Sequence, residues 1–340
     1  MLNRMAIATA PGVLNFTESE MPLLQPHQIL IKIKATSICG SDLHIVKGKH
    51  PSAPLPVAVG HEFAGEIVEM GTAVNRFSLG DRVTVEPVLI CGQCPPCKQG
   101  QYGYCDNLSF HYRQGQGAFA NYFIADEDFV YTLPEHLSYE AGALIEPLAV
   151  AVHAVQRAKI GLRDKVLVLG AGAIGLLITA VVRICGVQDI VVVDLAPYRL
   201  AKAKALGASR IINPREESVD HVIQELTSGR GMDKTFECVG LEQTLTQAMN
   251  LLRKGGLATI VGIFESTEVR IPAPLFVAKE ITVQGSQGYC WDFPTALSLT
   301  QNIDLTEMIT HVLPLSQVQA GFDAALDPNS QAIKVVLQPE

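Results

Sequence analysis

The sequence predicts an α/β protein of two domains, with a doubly wound parallel sheet inserted into a discontinuous β-rich domain. Three features predict it. The first 135 residues read as short strands broken by turns, the chain from residue 166 alternates apolar strands with helices, and after residue 285 that alternation fades. A length of 340 residues also exceeds what one ordinary core organises.

Residues 28–34 alternate apolar and polar, as a half-buried strand does, and residues 63–69, 81–85 and 122–125 read the same way. Gly60, Gly65, Gly71, Gly80 and Pro87 punctuate them. A helical stretch is predicted from Ser138 to about Gln156. Apolar strands follow at 166–169, 190–193, 210–212, 234–237 and 257–261, with helices at 174–184, 198–206, 219–227 and 241–252 between them. Continuous apolar runs joined by helices argue for a parallel sheet covered on both faces. Helices at 293–299 and 316–325 and a strand at 332–337 then return to the first domain. The expected domains are residues 1–148 with 286–340, carrying an irregular lobe at 88–108, and residues 149–285.

A composition of 48% hydrophobic and 18% charged residues is globular rather than disordered. The net charge of −8, with no run of Lys or Arg, argues against a nucleic-acid partner. Residues 1–10 lack the apolar core of a signal peptide, and no apolar stretch reaches membrane-spanning length, so a soluble cytoplasmic protein with no membrane partner is expected. Of eight cysteines, four fall within fifteen residues, which in a cytosolic chain points to metal rather than disulfides.

The predicted strand 166–169 runs directly into Gly170-Ala-Gly172-Ala-Ile174-Gly175 and then a helix. Gly170 suits the tight turn, Gly172 lets backbone approach a pyrophosphate, and Gly175 lets helix pack on strand. The helix start offers N–H groups and a positive dipole end to phosphate. Asp194, nineteen residues past Gly175, ends the next strand. A carboxylate there accepts both adenosine ribose hydroxyls and repels a 2′-phosphate, which favours NAD over NADP, while Arg199 partly offsets that repulsion. Val239 and Gly262 follow the fourth and fifth strands, where loops border the ligand crevice.

Cys91-x2-Cys94-x2-Cys97-x7-Cys105 places four thiols in one loop rich in Gly and Pro. Tetrahedral zinc takes four thiolates at about 2.3 Å, and such closed sites are structural. Iron–sulfur runs place their fourth cysteine differently.

A second set of donors is scattered: Cys39-Gly-Ser41-Asp42-Leu-His44, Gly60-His61-Glu62 and Glu146-Pro147. Singly, each has a bland explanation, as a buried thiol, a core histidine or a helix-start charge. Taken with the cysteine lobe and the glycine turn, in this order, they resemble the zinc-containing medium-chain dehydrogenases over essentially the whole chain. The sorbitol (polyol) and threonine dehydrogenase branch is the most similar. The resemblance implies a GroES-like catalytic domain beside a Rossmann NAD domain and two zinc ions per chain, one catalytic and one structural. Cys39 and His61 would bind the catalytic zinc, with Glu62 and Glu146 as carboxylate ligands or partners of its water. Better-known alcohol dehydrogenases carry a second cysteine at the position of Glu146. Asp42 matches the carboxylate that orients the zinc histidine. Ser41 would take the substrate hydroxyl proton and pass it toward His44 and solvent.

The implied reaction interconverts a secondary alcohol of a small polyol, sugar-acid or amino-alcohol substrate with its ketone, by hydride transfer. Polyol dehydrogenases hold substrate hydroxyls with an Arg where this chain has Gly288, so Gln287, Tyr289 and His111 are the alternative polar candidates. An L-threonine 3-dehydrogenase-like enzyme and a non-catalytic NAD-binding sensor protein stay open as alternatives. The intact zinc set speaks against the sensor. Relatives of this kind are homodimers or homotetramers, which is the expectation here.

Overall fold

The computed structural model describes residues 2–50 and 53–340. The chain forms two compact units, one of Met1–Glu146 with Phe293–Glu340 and the other of Pro147–Asp292.

The first unit is β-rich. Strands Leu2–Ala10 and Val13–Glu20 form a hairpin that also meets Val57–Ala58. The larger sheet runs, edge to edge, through Val130–Thr132, Arg82–Val85, Glu62–Met70, Gln28–Ser37, Lys334–Gln338 and Ile309–Pro314, and Tyr122–Asp126 pairs with Gln28–Ser37. The C-terminal strand Lys334–Gln338 thus pairs antiparallel with Gln28–Ser37, which is why the chain must return after the second unit. Two registers matter for the site: Ser37 lies opposite Glu62, and Val336 opposite Ser37. Phe63 and Phe123 pack with ring centroids 4.6 Å apart in the core behind these strands.

The lobe at 88–108 has a different construction. A two-stranded ladder, Val88–Leu89 with Ser109–Phe110, closes its base, and helix Pro95–Lys98 contributes no buried residue. Val88, Tyr102 and Cys105 are its buried apolar side chains, too few to organise a loop of this length without a cross-link.

The second unit carries six parallel strands: Lys165–Leu169, Asp189–Val193, Arg210–Ile212, Met232–Glu237, Leu252–Ile260 and Thr282–Gly285. Numbered in chain order they lie 3-2-1-4-5-6, the doubly wound Rossmann order, whose reversal falls beside the first strand. The apolar periodicity identifies five of the six. The edge strand Thr282–Gly285 is short and its residues are partly exposed, so it leaves no apolar run.

Two further elements differ from expectation. The helix predicted over 138–156 is two, Tyr139–Ala143 and Ile145–Ala158, with Leu144 between them. Ser138 caps the first by accepting from the Ala141 N–H at 3.2 Å. Pro147 is the third residue of the second, where a missing N–H costs no intrahelical bond. The second unit ends at Asp292 rather than near residue 285, because Asp292 accepts from Cys290 N–H and hydrogen-bonds His153 at 2.8 Å, tying the 286–292 segment to helix Ile145–Ala158.

Candidate metal centres and dinucleotide turn

Helix Gly40–Val46 begins where Cys39, in extended conformation, serves as N-cap. Asp42, fully buried, ties this start down. Its Oδ2 accepts from the Cys39 N–H at 3.0 Å, and its Oδ1 accepts from the Gly60 N–H at 3.1 Å and lies 3.5 Å from His61 Nδ1. One carboxylate therefore positions both Cys39 and His61. With Nδ1 turned to Asp42, His61 leaves Nε2 for another partner. Burial opposes charge on Asp42, yet the neighbouring His61 ring and the two N–H groups outweigh it and hold its carboxyl below the ordinary value. Burial also opposes a proton on His61, but Asp42 and Cys39 win and raise its pKa well above normal.

Ligand atoms of Cys39, His61 and Glu62 lie within 4.8 Å of one another. A thiol, an imidazole and a carboxylate at this separation match the donor set and approximate reach of a zinc site. Glu146 is buried in the first turn of its helix and within electrostatic reach of Lys334, but falls outside this group of three. Ser41 and His44 lie three apart on helix Gly40–Val46, on one face and half-buried.

Cys91, Cys94, Cys97 and Cys105 also converge within 4.8 Å. Backbone N–H groups of Cys91 and Asn107 point at the Cys105 sulfur at 3.3 and 3.4 Å. The N–H groups of Gln93 and Cys94 bring the Cys91 thiol down to about 6, whereas desolvation and its neighbours Cys94 and Cys105 push Cys97 up to about 12. A group with one thiolate-prone member and another that resists ionisation suits a dication, which would hold all four as thiolates.

In the second unit, Gly170 has φ +96°, and a Cβ there would meet Val239 Cγ2 at 2.6 Å. A Cβ on Gly175 would sit 1.9 Å from the Gly170 carbonyl oxygen, whereas one on Gly172 would meet nothing within 4 Å. The turn is therefore closed on its inner side and open at Gly172, which is also the N-cap of helix Ala173–Ile184 and supplies no side-chain cap. The helix's first N–H groups, near Ile174, stay available to an anion. Asp194 braces the turn, with Oδ2 accepting from Ala171 N–H at 2.7 Å and Oδ1 from Ala196 N–H at 2.9 Å. Arg199 Nε donates to the Tyr198 hydroxyl at 3.0 Å. Gly262 abuts Gly240, where a Cβ would meet the Gly240 nitrogen at 2.3 Å.

The family models agree with these features. Residues 25–135 match the alcohol dehydrogenase GroES-like domain, and residues 173–302 match the zinc-binding dehydrogenase domain. The chain belongs to the zinc-type medium-chain dehydrogenases. It is 35% identical to D-arabitol-phosphate dehydrogenase of Enterococcus avium, over 97% of this chain and 96% of that one. It is 36% identical to sorbitol dehydrogenase of Bacillus subtilis, over 94% and 92%. Its fold matches (2R,3R)-butanediol dehydrogenase of Bacillus subtilis with a TM-score of 0.89 at 34% identity, covering 99% of this chain and 100% of that one. Within this family it stands on the sorbitol dehydrogenase branch, as a zinc-dependent alcohol or polyol oxidoreductase using a nicotinamide dinucleotide.

Several residues escaped the sequence reading. Lys334 Nζ donates to Glu62 Oε1 at 2.6 Å and also to Oε2, and Ser37 Oγ donates to that same Oε2. A lysine inside the apolar run 332–337 was the available signal. Glu237 is buried, and its Oε1 accepts from Val239 N–H at 2.9 Å, Gly240 N–H at 2.8 Å and the Thr244 hydroxyl at 2.7 Å, shaping the loop that carries Val239. His111, a polar candidate already visible in the sequence, is buried. Burial lowers its pKa to about 4, its ring meets Phe123 edge-on at 4.8 Å, and Nδ1 lies 3.3 Å from Gln116. Tyr289 is buried as well, at 3% exposure.

Proposed function

We propose that the protein oxidises a secondary alcohol of a small polyol, polyol phosphate or sugar acid to the ketone, with NAD rather than NADP. The observation that carries this is the convergence of Cys39, His61 and Glu62 beside the Ser41–His44 helix face. Cys39 and His61 would hold the catalytic zinc, with Glu62 or Glu146 supplying an oxygen donor, and the four-cysteine group would hold a structural zinc. The catalytic ion, when bound, lowers the pKa of an alcohol hydroxyl into the neutral range. Asp42 keeps Cys39 and His61 aimed. Ser41 accepts the hydroxyl proton and His44 carries it toward solvent. In the second unit, the open face at Gly172 and the free N–H groups of its helix take the pyrophosphate, and Asp194 selects the unphosphorylated ribose.

A homo-oligomer is also proposed. Among the described residues, strand Thr282–Gly285 ends its sheet with Leu252–Ile260 as its one neighbour, and in the helix just before it Val277 is 86% exposed. An open edge beside exposed apolar surface favours pairing with a second copy.

The test is NADH formation by the zinc-replete protein on sorbitol, arabitol, arabitol phosphate, 2,3-butanediol, idonate and L-threonine, with NADP in parallel. NAD-dependent turnover on a polyol-type substrate, abolished in Cys39→Ser, is the expected result. Turnover with NADP alone, or undiminished in Cys39→Ser, contradicts the reading. Oxidation of L-threonine alone would move the protein to the amino-alcohol branch.

A further inference from the structure

Glu237 is the last residue of strand Met232–Glu237, opposite Leu169 on one side and Ile260 on the other, at the carboxyl end of the parallel sheet. It is fully buried. Its Oε1 takes the Val239 and Gly240 N–H groups and the Thr244 hydroxyl, and its own carbonyl accepts from the Val261 and Gly262 N–H groups at 2.9 and 3.0 Å. Its Oε2 faces Gly262, where a Cβ would stand 2.6 Å from it, and has no hydrogen-bond partner. Among the described residues no Lys, Arg or His lies within ion-pair distance of this carboxylate. A buried carboxylate is ordinarily matched by a cation. Glu237 has two N–H dipoles and a hydroxyl instead, so its charge reaches its surroundings. Cys238 registers it: burial and the Glu237 charge push its thiol well above the ordinary value.

The strand order says what that charge faces. In a 3-2-1-4-5-6 sheet the carboxyl end of the second strand, where Asp194 sits, takes the adenosine half of a dinucleotide, and the strands beyond the reversal take the nicotinamide half. Glu237 ends the first of those strands, and the loops it ties together carry Val239, 41% exposed, and Gly262. A nicotinamide ring bears a positive charge in NAD+ and none in NADH. We infer that Glu237 sets the redox preference of the cofactor site: its unpaired buried charge stabilises the cationic, oxidised ring over the neutral, reduced one, through an interior that screens the attraction weakly. This rests on the proposed dinucleotide site. Glu237 also positions the 238–240 loop, and the two effects separate cleanly. A loosened loop weakens both forms of the cofactor alike, whereas a lost charge weakens the oxidised form alone.

The test measures dissociation constants of NAD+ by calorimetry and of NADH by its fluorescence, on the zinc-loaded holoenzyme without alcohol. Wild type is compared with Glu237→Gln, Glu237→Asp and Glu237→Asn. Glu237→Gln keeps an acceptor for the three donors and removes the charge. It should weaken NAD+ binding by about fivefold or more and change NADH binding by no more than about twofold. Glu237→Asp shortens the side chain but keeps the charge, so both constants should rise together and their ratio should stay near that of wild type. Glu237→Asn should show the shifted ratio of Glu237→Gln, so the Asp–Asn comparison carries the test if Glu237→Gln does not fold. An unchanged ratio in the neutral variants, or a ratio in Glu237→Asp shifted as far as in Glu237→Asn, overturns the inference. Wild-type protein that binds neither form of the cofactor instead overturns the underlying site.

Discussion

The two donor clusters of this protein hold chemically similar groups in opposite ways. Cys91, Cys94, Cys97 and Cys105 come from one short loop, with backbone N–H groups as their support and few buried side chains around them. Cys39, His61 and Glu62 come from a helix N-cap and the start of a strand, and other side chains hold them in place: Asp42 for the first two, Lys334 and Ser37 for the third. Four like donors that saturate a tetrahedral ion leave no room for a reactant. Three unlike donors, one of them paired with a buried lysine, would leave the coordination of an ion held there adjustable. A scaffold needs a metal that never changes partners, and catalysis needs one that does.

The sharpest way to break this comparison is to remove one ligand from each cluster. Cys39→Ser should reduce turnover by about 10³-fold or more, the effect of losing several kcal/mol of charge stabilisation, with little change in melting temperature. Cys94→Ser should do the reverse, lowering the melting temperature by roughly 5–10 °C and opening the lobe to protease, with residual activity proportional to folded protein. Equal effects of the two on turnover and stability would erase the distinction.

Ser41→Ala is expected to reduce turnover by about 10²–10⁴-fold at unchanged zinc content, as loss of a proton acceptor does. Asp42→Asn should lower metal affinity or activity by about 10–100-fold, because it weakens the aim of His61 without removing a ligand. Metal analysis beside steady-state rates separates the two.

The smallest effect concerns His111, which lies outside both clusters. Its folded pKa of about 4 is below the unfolded value near 6.5, so the unfolded chain binds the extra proton between those values. Stability is therefore full above about pH 6.5 and declines as pH falls toward 4, by on the order of 2–3 kcal/mol from this residue. His111→Phe should flatten that part of the pH–stability curve measured by urea unfolding. An unchanged curve would mean that the ring ionises in place.

What was legible in the sequence divides along the same line. The four-cysteine group and the glycine turn are local, so spacing alone exposes them. Cys39 and His61 are separated in sequence and become readable only as members of a set. Lys334 acts on Glu62 across 272 residues, and nothing in its neighbourhood names its partner. A charge in the apolar strand 332–337 marks a buried pair without identifying it. Glu146 shows the converse, since its motif is plain while its carboxylate lies outside the group formed by Cys39, His61 and Glu62. The break at Leu144 was hidden because apolar residues continue through it, though Pro147 belongs to a helix's first turn and so marks a new start. The N-terminal hairpin leaves only Pro11-Gly12 as a signal, a turn between two strands whose mixed polarity hides their alternation.

The most direct test of the account is zinc per chain in Cys39→Ser, measured on folded protein alongside NAD-dependent turnover. One zinc per chain, held by an intact four-cysteine lobe, with turnover gone, is the predicted result. Two zinc ions retained, or turnover that survives the loss of one, would contradict the division of labour between the clusters.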